Sequence, residues 1–186
     1  MAVIQDIIAA LWQHDFGALA DPHVIGIVYF VMFATLFLEN GLLPASFLPG
    51  DSLLLAIGAL CSTTDAVHLH YMFSLLFIAS VLGYTVNYYT GSVLGLKFFN
   101  QHSRYFKPEY MVKTNAYFMK HGGKTILMAR FVPFVRSFAP FAAGSARMNF
   151  AVFTFYNVVG SLFWLGLLLG IGYGLGHTVN AVADSF

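Results

Sequence analysis

Charge is what this sequence has least of. Only 9% of its 186 residues are charged and 59% are hydrophobic, whereas soluble domains carry about 25% charged residues. A soluble chain with so much apolar surface would aggregate. The composition therefore predicts one integral membrane domain over residues 1–186. The net charge of +1 gives no reason to expect a nucleic-acid partner.

Other absences narrow the class. The chain has one cysteine, Cys61, which excludes an internal disulfide and fits no zinc-binding spacing. We expect no cofactor. The N-terminus lacks the basic stretch of a secretory signal. Apolar positions within residues 1–23 recur at helical spacing, and they predict an amphipathic helix that lies on the membrane or packs on its neighbours.

The first half, residues 24–96, contains an interrupted apolar segment. The run over residues 24–38 covers only about 22 Å as a helix, short of the ~30 Å hydrocarbon core. The helix must begin earlier or carry Glu39 into the membrane. The stretch ENGLLPASFLPGDSLLLAIGAL is then interrupted by Gly41, Pro44, Pro49 and Gly50. Because proline removes a backbone donor, we predict a re-entrant hairpin over about residues 39–60. Residues 71–96 follow as a span.

The second half repeats this order. Residues 97–124 hold six of the nine basic residues, so the positive-inside rule places them in the cytoplasm, with an interfacial helix. In residues 125–177, Pro133 and Pro140 interrupt a second apolar segment, and they predict a re-entrant hairpin over about residues 125–146. The helix over residues 150–175 is long enough to span, although five glycines loosen it.

Paired interrupted segments in two halves are the sequence sign of an inverted-repeat transporter. The predicted fold is an all-α polytopic membrane protein with two facing Pro-broken hairpins, plus spanning and interfacial helices. Residues 44–51 should then approach residues 133–140. The alternative is a set of ordinary spanning helices kinked at their prolines.

Four ionisable residues lie in the broken segments: Glu39 and Asp51 in the first, and Arg130 and Arg136 in the second. Each would cost about 2.5–3.5 kcal/mol if left uncompensated at the centre of a membrane helix. They must be paired, hydrated or functional. Structural salt bridges are one explanation. The other is a wet site in which the arginine forks bind phosphate while the acids exchange protons.

Further polar residues are weaker candidates. Asn87 and Tyr88 could contact substrate, although helix packing explains them equally well. His68 and His70 have no third metal ligand nearby and are interpreted as loop residues. A membrane phosphatase would need a histidine nucleophile, and no histidine lies inside either broken segment. We therefore expect no enzymatic activity.

Two motifs, FLENGLLPASFLPGDSLLLAIGAL and HGGKTILMARFVPFVRSFAPFAAG, resemble the DedA family of bacterial inner-membrane proteins. The resemblance covers about residues 24–175. It implies two facing re-entrant hairpins in a multi-pass inner-membrane protein that moves lipid-linked phosphate. Members include proton-dependent recyclers of undecaprenyl phosphate, and eukaryotic relatives of the fold scramble phospholipids. In the family pattern the acids fall at Glu39 and Asp51, and the essential arginines at Arg130 and Arg136.

The sequence also departs from the family pattern. Tyr84 stands where many members carry an acid, and Ser92 where many carry an arginine, so one possible proton carrier is missing. Most members continue into another C-terminal helix with a basic tail. We predict a flippase of a lipid-linked phosphate, first of all undecaprenyl phosphate, with proton coupling. The alternatives are a cation/proton antiporter, a phospholipid scramblase and a structural scaffold. Lipid identity, direction of transport and homo-oligomerisation stay open.

Overall fold

A computed structural model describes residues 22–42, 50–63, 67–98, 122–132 and 135–183. Within these residues the chain forms helices and no strand, so the all-α prediction is confirmed. The helices are α1 (Pro22–Gly41), α2 (Gly50–Thr63), α3 (Leu69–Phe98), α4 (Lys124–Ala129), α5 (Val135–Ser145) and α6 (Phe150–Ala183). The predicted N-terminal helix before residue 22 and most of the basic segment, residues 99–121, lie outside the described residues.

Two helices among the described residues are long and apolar enough to cross a membrane, as the sequence predicts. They are Leu69–Leu94 within α3 and Phe150–Thr178 within α6. The glycines of α6 do not interrupt it. Both helices carry exposed large apolar side chains, among them Val93 and Phe163. Such side chains are favourable against lipid and unfavourable against water.

Helix α1 extends beyond its apolar run, residues 24–38, at both ends. It starts at Pro22, before the run, because proline is well suited to the first turn of a helix. It also continues to Gly41, so that Glu39 lies in its last turn. Its 20 residues span about 30 Å.

Both Pro-broken segments are interrupted between helices. The first break separates α1 from α2, and the second separates α4 from α5. Pro133, like residues 43–49 of the first segment, lies outside the described residues. Pro140 lies inside α5 and does not end it, so the prediction that Pro140 interrupts the chain is wrong. Proline removes only one backbone hydrogen bond, here the one to the carbonyl of Arg136 four residues earlier, and the close packing of α5 against α3 at Gly91 holds the helix together.

The chain divides into two compact units. The first comprises residues 1–35, 49–76 and 165–186. Its buried core is apolar, with Leu54, Met72 and Leu169 among its members. A side chain on Gly58 would place its Cβ 2.6 Å from the Leu169 carbonyl oxygen, so α2 and α6 touch backbone to backbone there.

The second unit comprises residues 36–48 and 77–164. A Cβ on Gly91 would collide with the backbone of Phe141, which holds α3 and α5 in direct contact. At Gly83 the absence of a side chain likewise lets the last turn of α1 pack against α3. A Cβ there would lie 2.9 Å from both the Asn40 Cβ and the Phe37 carbonyl oxygen. This contact fixes where Glu39 is buried.

Candidate functional site

Arg130 follows the last residue of α4 and is only 2% exposed. Its Nη1 donates to the Ser80 hydroxyl at 2.9 Å, and its Nη2 donates to the Asn157 Oδ1 at 2.6 Å. The guanidinium carbon lies 3.8 Å from the centroid of the Tyr84 ring, well within cation–π distance. These three contacts of Arg130 are all with uncharged groups.

Two further features fix the Arg130 side chain in place. Gly160 leaves room for it, because a Cβ at that position would lie 3.1 Å from the Arg130 Cδ and Nε. Asn157 is itself held by a 3.1 Å bond from its Nδ2 to the Val81 carbonyl, which turns its Oδ1 toward the arginine. The Arg130 Nε has no hydrogen-bond partner among the described residues.

Arg136 lies in the first turn of α5 and forms an ion pair with Glu39 of α1. Arg136 is 7% exposed and Glu39 is fully buried. Within the described residues, neither oxygen of the Glu39 carboxylate accepts another hydrogen bond. Of the two arginines in the second broken segment, Arg136 thus forms a salt bridge with an acid of the first.

Trp164 of α6 is a shared neighbour of both arginines. Its ring centroid lies 5.0 Å from the Arg136 guanidinium carbon and 5.9 Å from that of Arg130. The Trp164 side chain is buried, so the ring shields both cations from solvent. The second unit therefore holds Glu39, Arg130 and Arg136 in one enclosed cluster.

Asn87 and Tyr88 are both engaged in helix packing. The Asn87 Nδ2 donates to the Asn40 carbonyl at 3.0 Å and to the Ser137 carbonyl at 2.7 Å. It thereby ties the end of α1 to α5. The Tyr88 hydroxyl donates to the Met148 carbonyl, and its ring stacks on Phe153 at 4.5 Å.

The remaining sequence candidates lie in the first unit. Asp51 is half-buried in the first turn of α2, where a carboxylate interacts favourably with the helix dipole. His70 belongs to the first turn of α3 and not to a loop, and its ring lies 5.6 Å from that of His68. Among the described residues no group of three or more metal-ligating side chains occurs.

Sequence analysis missed most of the residues around Arg130. Tyr84 was noted only as a departure from the family pattern, and Ser80, Asn157 and Trp164 were not singled out. Helical spacing was the available signal. Ser80, Tyr84 and Asn87 lie four and three residues apart, as do Asn157, Ser161 and Trp164, so each set lies on one helix face.

An apolar cavity of about 510 Å³ lies in the first unit. Its walls come from the N-terminal part of α3 and from α6, with Phe73, Gly166 and Gly170 among the lining residues. A Cβ on Gly166 or Gly170 would meet no atom within 4 Å. The absence of side chains at these two glycines keeps that part of the cavity wall open.

Comparison with known proteins agrees with this architecture. The family model for the VTT domain matches residues 48–174. Inner membrane protein YghB of Salmonella typhimurium is 48% identical over 176 residues, covering 94% of this chain and 80% of that protein. Protein DedA of Escherichia coli is 47% identical over 160 residues, covering 85% and 73%. Inner membrane protein YqjA of Escherichia coli is 41% identical over 179 residues, covering 96% and 81%. No solved structure matches the chain.

The helices and the buried polar cluster define a polytopic α-helical membrane protein with ionised groups in its interior. Identity at this level over most of the chain, together with the domain match, shows that the chain belongs to the DedA family of VTT-domain proteins. It is a bacterial inner-membrane protein. The resemblance drawn from the two motifs is confirmed.

Proposed function

We propose that this protein moves a lipid-linked phosphate across the inner membrane, with undecaprenyl phosphate as the first candidate. The observation that carries the proposal is the charge of the second unit. Among the described residues its buried charged side chains are Glu39, Arg130 and Arg136, which leaves one excess positive charge. A structural salt bridge accounts for one arginine and not for the other.

The excess charge suits an anion. A buried cation without a counter-ion is costly in a membrane interior, so its retention indicates a use. A guanidinium presents a planar fork of donors that matches phosphate oxygens. Arg136 would offer this fork, and Arg130 would keep the potential around it positive. Arg136 would therefore contact the phosphate directly, and Arg130 would support its binding electrostatically.

The lipid part needs an apolar surface. The cavity of about 510 Å³ in the first unit has hydrocarbon-lined walls with Phe73 and Leu169, a surface on which an isoprenoid or acyl chain can pack. We also propose that α1–α2 and α4–α5 are the two re-entrant hairpins of an inverted repeat, a transporter arrangement that places broken helices around the substrate.

Glu39 and Asp51 are the proposed proton carriers. Carboxylates can gain and lose a proton within the membrane, whereas arginine stays charged. Their positions in the first broken segment make them the candidates for proton coupling. The function proposed is transport without catalytic chemistry.

The test is a flipping assay in proteoliposomes that contain the purified protein. We expect transbilayer movement of undecaprenyl phosphate, accelerated by a pH gradient, and no movement of the neutral control undecaprenol. Equal movement of both lipids, or of neither, would exclude a phosphate flippase. Rapid movement of ordinary phospholipids without a pH gradient would indicate a scramblase instead.

Arg136→Lys is the most informative variant in this assay. Lysine keeps the charge and loses the bidentate fork, so we expect transport to fall about tenfold or more, equivalent to roughly 1.4 kcal/mol. The matched control is Lys124→Arg, at an exposed position, which should transport normally. Normal transport by Arg136→Lys would show that the fork is not used.

A cation/proton antiporter is the second candidate, and the buried Glu39 carboxylate favours it. An antiporter binds its cation through acids and gains nothing from arginines in the site. Addition of Na⁺ or K⁺ to the proteoliposomes distinguishes the two functions. Cation-driven proton release that survives Arg136→Lys would support the antiporter.

A further inference from the structure

The two arginines of the second unit are held in different ways, and the difference bears on how anion and proton would be coupled. Arg130 has several neutral partners at once: two hydrogen bonds, an aromatic face, and a glycine that makes room for it. Arg136 instead has an anionic side chain, Glu39, on its guanidinium. A carboxylate and a phosphate bind a guanidinium in the same way.

We infer that Glu39 occupies the phosphate-binding position of Arg136 in the empty protein, and that an incoming phosphate displaces it and makes it take up a proton. This rests on the proposed function and gives its coupling a physical basis at one residue pair. Arg130 acts as a fixed positioning residue, which keeps its own neutral partners in both states.

Burial of Glu39 forces the proton uptake. The side chain is fully buried, and within the described residues the ion pair is the polar contact of its carboxylate. Breaking a buried pair by removing one partner costs about 3–5 kcal/mol. A carboxylate left alone in such a place becomes neutral by taking a proton from water. Phosphate binding to Arg136 and charge on Glu39 therefore exclude each other.

The charge count leads to the same conclusion. In the empty state the three buried charges leave one positive charge in excess. A phosphate monoester carries close to two negative charges above its second pKa of about 6. If Glu39 is protonated, the loaded cluster is close to neutral. If Glu39 stays ionised, the loaded cluster has an excess negative charge in a buried site.

Other ionisable groups in the second unit do not replace Glu39 in this role. The titratable side chains buried there, among the described residues, also include Tyr84 and Tyr88 of α3, besides Arg130 after α4 and Arg136 of α5. Both tyrosines are uncharged at neutral pH, so neither has a charge to neutralise. Within the described residues Arg136 is the charged group in contact with Glu39.

Calorimetry in detergent can measure the number of protons taken up on binding. Binding of undecaprenyl phosphate is measured in buffers of different ionisation enthalpy between about pH 7 and 8.5, where the phosphate itself is almost fully ionised. We expect uptake of about one proton per lipid bound. Affinity should then fall by about tenfold for each pH unit, as linkage to one proton requires.

Trp164 gives a second readout on the same pair. The chain has two tryptophans, so Trp12→Phe leaves Trp164 as the single tryptophan, beside the Arg136 guanidinium. If Glu39 leaves and phosphate arrives, the charge around the ring changes and its emission should shift on binding. Undecaprenol should produce no shift.

The variant Glu39→Gln tests directly whether Glu39 competes with phosphate for Arg136. Glutamine cannot compete for Arg136 with a charge, so phosphate lipid should bind at least about tenfold more tightly, because a pair of this strength is formed more than about nine-tenths of the time. The proton uptake should be lost. Because this variant removes the ion pair of Arg136 with Glu39, its folding is checked with undecaprenyl phosphate bound. Glu39→Gln/Arg136→Gln is the uncharged control and should bind no phosphate lipid.

The results separate the two proposals. If the wild-type protein binds undecaprenyl phosphate in preference to undecaprenol without proton uptake, the exchange is wrong and the phosphate-binding function stands. Weaker binding by a folded Glu39→Gln, or unchanged proton uptake in it, overturns the exchange equally. If the wild-type protein does not distinguish the two lipids, both proposals are wrong.

Discussion

In both units of this protein glycines bring two helices into close contact, but the two units bury different kinds of side chain. In the first, Gly58 brings α2 against α6; in the second, Gly91 brings α3 against α5. Yet every buried polar or charged side chain of the described residues belongs to the second unit. Close helix packing in this chain therefore does not require buried charge. The charges of the second unit need a separate explanation, and a binding function supplies one.

The largest difference between the units should come from removing an acid in each. Glu39→Gln leaves the buried Arg136 without its ion pair, so we expect a loss of about 3–5 kcal/mol in the free energy of unfolding. Asp51→Asn removes a half-buried charge at the start of α2, where helix-dipole effects are worth about 0.3–1 kcal/mol. Unfolding of ligand-free protein in mild detergent measures both, and equal losses would contradict the contrast.

The next prediction concerns the close helix packing of the first unit and compares two glycines of α6. A Cβ on Gly172 would collide with the Leu55 backbone of α2, whereas a Cβ on Gly170 would meet no atom within 4 Å. Gly172→Ala should therefore cost about 1–3 kcal/mol through overpacking. Gly170→Ala is the matched control and should gain up to about 1 kcal/mol from helix propensity. Thermal unfolding in detergent would show opposite shifts.

A third prediction sharpens the account of the second unit. Tyr84 places its ring face under the Arg130 guanidinium, and a desolvated cation–π contact is worth about 2 kcal/mol. Tyr84→Leu should lose roughly that amount, whereas Tyr84→Phe retains the ring and should lose less. Chemical denaturation of the purified protein compares them. Equal losses would show that the hydroxyl matters more than the ring face.

Sequence reasoning predicted the broad fold and four charged candidates, three of which the structure places in one unit. Helical class and the spans follow from composition and run length, which are local properties. The neighbours of Arg130 could not be predicted in the same way, because Ser80 and Asn157 lie 50 and 27 residues from it in the chain. The position of Pro140 inside α5 was missed for a related reason, since α5 packs there against α3, which is distant in the chain.

The smallest predicted effect lies in the turn between α5 and α6, within the second unit and at its surface. Arg147 is exposed and has a φ of 53°, in the left-handed region that glycine adopts without a steric penalty. The Met148 amide donates to the Ala143 carbonyl and the Arg147 amide to the Gly144 carbonyl, the hydrogen bonds of a Schellman helix end. Arg147→Gly should therefore raise the free energy of unfolding by about 0.5–1 kcal/mol. Arg147→Ala removes the charge but keeps the Cβ, so it should give no such gain. Equal stabilisation by both variants would assign the effect to the lost charge and not to the backbone.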